Sequence, residues 1–237
     1  MSISSFFKHS AILSDIRHLI FPQKCLACES ELTGAETTIC SLCTTHFTET
    51  NFHLNAEPTM MDKIFWGRID IHKTYALFFF EKGKTAQIIL FQLKYKNNQE
   101  VGHHFGGEIA KRLKLNPDFR DVDVLIPVPL HPKKEFIRGY NQSEALAKGI
   151  SDELGVAMDT SSVKRVKHGA SQTQKARFER WSSIQSTFRV NNSIQNFKHI
   201  VLVDDVITTG STIEVIASAI REKHPDARIS VVTLAIT

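Results

Sequence analysis

The sequence predicts an α/β fold in which a mostly parallel β-sheet is flanked by helices. Near-continuous apolar runs, DVLIPV at 123–128 and IVLV at 200–203, are typical of strands buried on both faces of such a sheet. Between these runs, apolar residues recur at the spacing of amphipathic helices. Because strand and helix patterns alternate along the chain, we predict a doubly wound α/β sheet.

The first predicted elements precede the 123–128 strand. Residues 75–80 (YALFFF) form a strand candidate, and residues 86–95 form a helix with Ile89, Leu90 and Leu93 on one side. A second helix, with Phe105, Ile109 and Leu113 at intervals of four, ends before Pro117. These elements supply the first strand and two covering helices.

The later elements also carry start and stop signals. After a predicted loop at 129–140, Asn141 is a candidate N-cap with Glu144 three residues later, and Gly155 ends that helix. A helix at 212–222 and a final strand at 228–236 complete the pattern.

Charge is modest overall but uneven along the chain. The formal net charge of +4 is too small to indicate nucleic-acid binding by itself. One segment, 164–180, holds six basic residues and a single Glu, so it presents a locally anion-seeking surface. The six are Lys164, Arg165, Lys167, Lys175, Arg177 and Arg180.

The N-terminal stretch has apolar residues interrupted by charged ones. That pattern is neither a signal peptide nor a membrane span, so we expect no membrane insertion. Ile12, Ile16 and Leu19 fall at helical spacing and predict a short amphipathic helix. A cytoplasmic location, where thiols stay reduced, is the default expectation.

Four cysteines form two C-x2-C pairs separated by eleven residues, Cys25 with Cys28 and Cys40 with Cys43. Two such pairs supply four thiolates at tetrahedral positions, which a closed structural Zn²⁺ site needs. Disulfides, a redox pair and coincidence are the competing interpretations. Reduced thiols disfavour disulfides, and a redox motif would normally be single and lie at a strand-to-helix turn. We therefore predict a zinc module within residues 1–52, followed by one domain at 53–237.

The segment IVLVDDVITTGST at 200–212 suggests a ligand site. Asp204 and Asp205 follow an apolar strand, and Thr208, Thr209, Gly210, Ser211 and Thr212 then open a helix. Free N–H groups and hydroxyls at a helix start can bind a phosphate, and carboxylates can accept hydrogen bonds from a vicinal diol. A phosphate beside a diol describes a ribose 5-phosphate.

Other phosphate sites fit less well. The G-x-x-x-x-G-K pattern of a P-loop and the G-x-G-x-x-G pattern of a dinucleotide site are both missing from this sequence. A strand end with solvated acids and a capping threonine is the simpler alternative, but it does not account for the complete string.

This string resembles the phosphoribosyl pyrophosphate (PRPP) signature of the type I phosphoribosyltransferases. The four cysteines, LKY at 93–95, IPVPLHPKKEFIRGYNQ at 126–142 and SQTQKARFER at 171–180 together resemble the ComF family, which includes proteins named GntX. The resemblance extends from about residue 21 to 237, with its motifs in family order. It implies a type I phosphoribosyltransferase-like fold.

The resemblance also implies roles for individual residues. Asp204 and Asp205 would hold the ribose hydroxyls of PRPP, and residues 208–212 its 5-phosphate. The loop at Val128, Pro129, Leu130 and His131 would meet the pyrophosphate, with Mg²⁺ bridging pyrophosphate and ribose oxygens. The motif RGYNQ supplies Arg138, Tyr140, Asn141 and Gln142 to the same site.

The basic segment falls where type I enzymes place a mobile loop. By this resemblance Lys175, Arg177 and Arg180 would neutralise the departing pyrophosphate. A solvated charged loop is the alternative. Gly169, Lys175 and Ser183 depart from the residues that are usual at these positions in the family.

Two functions of different classes follow. One is transfer of ribose 5-phosphate from PRPP to a nitrogenous base or amine; His103, His104 and His131 are candidate bases by residue type alone. The other is a non-catalytic PRPP or nucleotide sensor, or an accessory to DNA uptake with the zinc module as an interaction surface. Any cover over the acceptor must come from upstream of the last strand, around residues 50–100.

Overall fold

The structure is a computed structural model that describes residues 23–34, 36–166 and 187–237. The predicted N-terminal helix and the basic residues Lys167, Lys175, Arg177 and Arg180 lie outside the described residues.

A five-stranded parallel sheet forms the centre of the molecule, with strand order β1-β7-β6-β2-β3. The predicted α/β class is therefore confirmed. A separate antiparallel pair, β4 and β5, was not predicted because each strand has only three residues. The strands are β1 (Thr74–Phe79), β2 (Val124–Pro127), β3 (Ala157–Met158), β4 (Val163–Arg165), β5 (Phe188–Val190), β6 (His199–Ile207) and β7 (Arg228–Ile236).

Seven α-helices occur within the described residues, with short 3-10 turns at 52–54, 117–119 and 192–196. They are α1 (Ser41–Thr44), α2 (Met60–Lys63), α3 (Thr85–Tyr95), α4 (Gln99–Leu113), α5 (Pro132–Arg138), α6 (Gln142–Leu154) and α7 (Ser211–Lys223). None of them is long and apolar enough to cross a membrane.

The helices pack through apolar faces that the sequence spacing indicated. In α3, Ile89, Leu90 and Leu93 are buried, as predicted. Helices α4 and α6 pack very closely because Gly106 of α4 lies against Gly149 of α6, and a Cβ at either position would overlap the backbone of the other helix. This close contact fixes the position of α6, whose first turn reaches the candidate site.

Two predicted boundaries differ from the structure. The loop predicted at 129–140 contains α5, which begins at Pro132 and ends at Arg138, followed by Gly139 as a left-handed C-cap. No side chain of α5 is buried, so no apolar periodicity marked it. Strand β6 also continues through both aspartates to Ile207, because β7 offers pairing partners as far as Ile236. The acids therefore lie within the strand, close to its carboxyl end.

The cysteine-containing segment docks beside edge strand β1. The Phe47 ring stacks on Phe78 with centroids 4.1 Å apart, and Thr50 donates its backbone N–H to Leu77 O at 3.1 Å. Phe79 donates in turn to Thr48 O at 2.9 Å. The chain at 48–50 thus covers the exposed edge of the sheet, which would otherwise present unpaired backbone groups.

Candidate functional site

The candidate site lies at the carboxyl ends of β6 and β2, which are neighbours in the sheet. Pro127 pairs with Val203, and the Val128 N–H donates to Val203 O at 2.8 Å. The loop that follows β2 is consequently held next to Asp204. Carboxyl ends of parallel strands are where ligands bind in open α/β sheets.

Asp204 is held by helix α6. The Ser143 hydroxyl donates to Asp204 Oδ1 at 3.0 Å, and the Asp205 backbone N–H donates to the same oxygen at 2.9 Å. Burial, reinforced by the neighbouring Asp205 charge, raises the pKa of Asp204 to about 7.

Asp205 is held by helix α3 instead. Lys94 Nζ lies 3.0 Å from Asp205 Oδ2, and both side chains are mostly buried. Successive side chains of a strand point in opposite directions, which explains why the two acids have different partners. Sequence reasoning noted LKY as a motif but did not connect Lys94 with Asp205, since 111 positions separate them.

Residues 208–212 form the turn after β6 and the first two residues of α7. Thr208, Thr209, Ser211 and Thr212 are exposed, and the Thr209 and Ser211 hydroxyls lie 2.9 Å apart. Gly210 is the N-cap of α7 and supplies no side-chain cap, so the first N–H groups of α7 have no capping partner among the described residues. The turn presents hydroxyls and N–H groups together, the donor set that binds a phosphate.

Residues 64–68, which follow α2, pack against this turn. Gly210 has a φ of 70°, and a Cβ there would lie 2.8 Å from Phe65 Cε1 and 2.9 Å from Ile64 Cγ2. Arg68 Nη1 donates to Thr209 O at 2.6 Å, and its other nitrogen pairs with Glu214. Arg68 was not predicted as a site residue, because nothing in its local sequence links it to a turn 141 positions away.

The RGYNQ residues organise the start of α6. Asn141 accepts the Ser143 N–H at 3.1 Å as N-cap and donates through Nδ2 to Val128 O at 3.1 Å. The capping role is therefore combined with support of the 128–131 loop. Arg138 donates to Gln142 Oε1 at 2.6 Å.

Tyr140 has a structural position rather than an open one. It is buried, and its hydroxyl donates to Leu93 O and Asn98 O, which joins the start of α6 to the end of α3. Burial raises its pKa to about 12. The hydroxyl is thus unavailable for direct contact with a ligand in this conformation.

Arg165 of β4 belongs to the basic segment, lies within the described residues and interacts electrostatically with Asp204. Burial lowers its pKa, and the Asp204 charge opposes that shift. Its guanidinium lies 5.2 Å from the centroid of the Phe188 ring, and its Nε has no hydrogen-bond partner within the described ranges. A buried N–H without a partner on a half-buried cationic side chain is suited to an anionic ligand.

The candidate histidines do not assemble with the acids. His103 Nε2 lies 2.9 Å from Asp152 Oδ2, and His131 Nδ1 accepts the Lys133 N–H at 3.2 Å at the start of α5. Burial lowers the pKa of His104. None of these three histidines is placed to act as a general base on a ligand held by the acids.

The four cysteines converge as predicted. Their sulfur atoms all lie within 4.8 Å of one another, and Cys28 Sγ is 3.7 Å from Cys40 Sγ. Tetrahedral Zn²⁺ with bonds of about 2.3 Å requires sulfur separations of roughly 3.8 Å. Backbone N–H groups of Cys40 and Cys43 point at Cys25 Sγ and Cys40 Sγ, both at 3.4 Å. The arrangement fits a structural zinc ion.

Comparison with known proteins agrees with this geometry. The model of the phosphoribosyl transferase domain matches residues 141–236, which include Asp204, Asp205 and the turn at 208–212. This part of the chain is therefore similar to phosphoribosyl transferase domains.

The chain is similar to proteins named for competence and DNA utilization. It is 36% identical over 133 residues to the DNA utilization protein YhgH of Salmonella typhi, covering 55% of this chain and 58% of that protein. It is 36% identical over 102 residues to competence protein F of Haemophilus influenzae, covering 42% and 44%. Identity to YhgH of Escherichia coli O157:H7 is 25% over 214 residues, covering 84% and 91%.

These matches confirm the predicted resemblance to ComF proteins. The first two matches span only about half of each relative.

Proposed function

We propose that this protein binds PRPP with Mg²⁺ and transfers its ribose 5-phosphate to a nitrogenous base or amine, releasing pyrophosphate. The observation that carries the proposal is that two acids and a turn suited to phosphate lie together at the carboxyl end of β6. These residues lie within the segment that matches the phosphoribosyl transferase domain.

The geometry suggests one orientation of PRPP. The 5-phosphate would bind at residues 208–212, and the ribose hydroxyls would donate to Asp204 and Asp205. The pyrophosphate would then face the loop at 128–131 and Arg165, whose Nε has no partner in the described structure.

Mg²⁺ fits this arrangement as a partner of the ligand. Among the described residues, only the four cysteines form a cluster of three or more candidate metal ligands. Mg²⁺ prefers oxygen ligands and keeps its water, so phosphate and ribose oxygens would hold it beside the aspartates. When bound, it would neutralise charge on the pyrophosphate.

The residues of this chain would promote cleavage of the bond between the anomeric carbon and pyrophosphate. Positive charge develops on the ribose as that bond breaks, and the adjacent carboxylates favour it electrostatically. Arg165, with Lys175 and Arg177 as further predicted participants, would stabilise the departing anion.

The zinc module is proposed to be structural. All four candidate ligands are cysteines, so a bound Zn²⁺ would keep no open position for substrate. Reduced cysteines also agree with the proposed cytoplasmic location.

A second candidate function comes from the relatives, whose names refer to competence and DNA utilization. The same site could detect PRPP or a nucleotide without turnover, and the zinc module could contact the DNA-uptake machinery or single-stranded DNA. A domain fold alone does not separate an enzyme from a sensor.

Calorimetric titration with PRPP and Mg²⁺, followed by an assay for pyrophosphate release with a panel of free bases, tests both candidates. We expect PRPP binding that the double change Asp204→Asn and Asp205→Asn abolishes. Asp226→Asn, an exposed acid just before β7, is the matched control and should bind normally. Pyrophosphate release with a base identifies the enzyme, binding without release favours the sensor, and absence of PRPP binding refutes both.

A further inference from the structure

A pocket lies beside Asp205, because it is lined by Lys94, whose Nζ is 3.0 Å from Asp205 Oδ2, and by Val206, the next residue of β6. It has a volume of about 250 Å³ and includes Phe80, Val206 and Thr237, which lie at or just beyond the carboxyl ends of β1, β6 and β7. Helix α3 supplies the facing wall with Phe91, Lys94 and Tyr95. Helix α3 therefore lies beside the carboxyl ends of the strands that carry the proposed PRPP site. It belongs to the region around residues 50–100 that was expected to cover an acceptor.

The wall of this pocket is aromatic and exposed. Phe91 and Tyr95 are 48% and 61% exposed, although the opposite side of α3 is fully buried. Their ring centroids lie 5.1 Å apart, and the Arg138 guanidinium lies 5.7 Å from the Tyr95 centroid. Exposed rings beside a binding edge offer flat surfaces on which a planar heterocycle can stack.

The size of the pocket limits its occupant. Pockets for drug-sized molecules occupy about 300–1,000 Å³, so a volume of about 250 Å³ suits a smaller ligand. A single free base fits this range better than a nucleotide does. The PRPP site next to it would supply the sugar and phosphate separately.

Lys94 offers hydrogen-bond donors to a ligand in the pocket. It is the one charged residue among those that line the pocket, and an ammonium group donates hydrogen bonds but accepts none. A ring carbonyl is therefore a better partner than an exocyclic amine. Because Asp205 lies 3.0 Å away and balances the Lys94 charge, a neutral acceptor fits better than an anionic one.

We infer that this pocket is the acceptor subsite and that it takes a neutral, planar nitrogen heterocycle with a ring carbonyl. The inference rests on the proposed transfer reaction. In that step a ring nitrogen lone pair forms the bond to the anomeric carbon, and the carbon–oxygen bond to pyrophosphate breaks. Its electron pair leaves with pyrophosphate, and the proton of the ring nitrogen is released to solvent.

Base binding can be measured without turnover in the presence of Mg²⁺ and ribose 5-phosphate, which has no leaving group. Calorimetry on the full chain would compare hypoxanthine, which has a ring carbonyl, with adenine, which has an amine at that position. We expect hypoxanthine to bind about tenfold more tightly than adenine. Phe91→Ala should weaken hypoxanthine binding about tenfold, and Lys94→Gln should remove the preference between the two bases.

Ile88→Ala is the matched control, because Ile88 lies on α3 but does not line the pocket. It should bind both bases as the unchanged protein does. Thermal unfolding of each variant shows whether α3 remains folded, and Phe91→Leu separates loss of ring stacking from loss of apolar volume.

A separate titration with PRPP distinguishes the two levels of the argument. If the protein binds PRPP but neither base, the acceptor subsite is overturned and the PRPP site remains. The same conclusion follows if PRPP binds and Phe91→Ala has the same hypoxanthine affinity as the unchanged protein. Equal affinity for hypoxanthine and adenine overturns the role of Lys94. Failure to bind PRPP refutes the proposed function itself.

Discussion

At the level of single residues, the ionised form of Asp204 that a ribose site needs is the form that destabilises the folded protein. Burial and the neighbouring Asp205 raise its pKa from 3.8 to about 7, while Ser143 and Lys94 only partly compensate. Arg165 adds a further positive charge nearby. A ribose site needs the ionised carboxylate, so the protein retains a group whose charged form the folded state disfavours.

Asp204→Asn should therefore stabilise the protein at neutral and alkaline pH. The folded state binds more protons than the unfolded state between the two pKa values, so the Asp204 contribution to stability falls as pH rises from about 4 to about 7. We expect the variant to gain up to about 4 kcal/mol in free energy of unfolding above pH 7, the free energy that corresponds to the rise in the Asp204 pKa from 3.8 to about 7. Asparagine can still accept from Ser143.

Denaturant unfolding at several pH values checks this expectation. The difference in free energy of unfolding between the variant and the unchanged protein should disappear below about pH 4. There Asp204 becomes protonated in the unfolded state as well as in the folded state, so it is neutral like the asparagine. A stability difference independent of pH would show that packing, not ionisation, is responsible.

At the scale of elements, the junction between β6 and α7 depends on Gly210. Its φ of 70° disfavours any side chain, and its neighbours Phe65 and Ile64 leave no space for one. We expect Gly210→Ala to cost about 2–3 kcal/mol of stability and to weaken PRPP binding, because the turn must shift away from Phe65.

Gly155→Ala is the matched control for Gly210. Gly155 has a φ of 71° at the end of α6, but nothing lies within 4 Å of an added Cβ. Its substitution should cost about 1 kcal/mol, the backbone penalty alone. Equal costs in chemical denaturation would mean that contact with the segment after α2 contributes nothing to the turn.

Helices α3 and α6 are joined through one buried hydroxyl. Tyr140→Phe would remove its hydrogen bonds to Leu93 O and Asn98 O, and we expect a loss of about 1 kcal/mol in free energy of unfolding. Tyr95→Phe, with its exposed ring on α3, should leave stability unchanged. A Tyr140→Phe variant as stable as the unchanged protein would contradict the proposed link.

At the scale of the whole molecule, the cysteine module and the sheet are joined at the edge opposite β3. The module docks on β1, and β7 separates β1 from β6 and its acids. Loss of zinc should therefore affect the module first and the PRPP site little.

Metal analysis of protein purified in reducing buffer should find about one zinc per chain. After removal of zinc with a chelator, limited proteolysis should cleave within the cysteine segment while PRPP affinity stays within about twofold. Zinc-free protein with an unchanged cleavage pattern would show that the module does not need the metal to fold.

Sequence alone determined the local features of this protein. Apolar runs fixed β2, β6 and β7, capping residues fixed the ends of α6, and the C-x2-C pairs indicated the sulfur cluster that the structure forms. Each of these depends on residues close together in the chain, where spacing directly limits geometry. The Asp204–Thr212 string likewise indicated a phosphate and diol site before any fold was known.

Tertiary structure decided which distant residues complete that site. Lys94 reaches Asp205, Ser143 reaches Asp204, and Arg68 supports the turn, although each pair is separated by more than 60 positions in the chain. The short helix α5 and the aromatic pocket on α3 also carried no local signal, because exposed side chains follow no burial periodicity. Such contacts arise only when the sheet brings its carboxyl ends together, so their identity depends on packing rather than on sequence spacing.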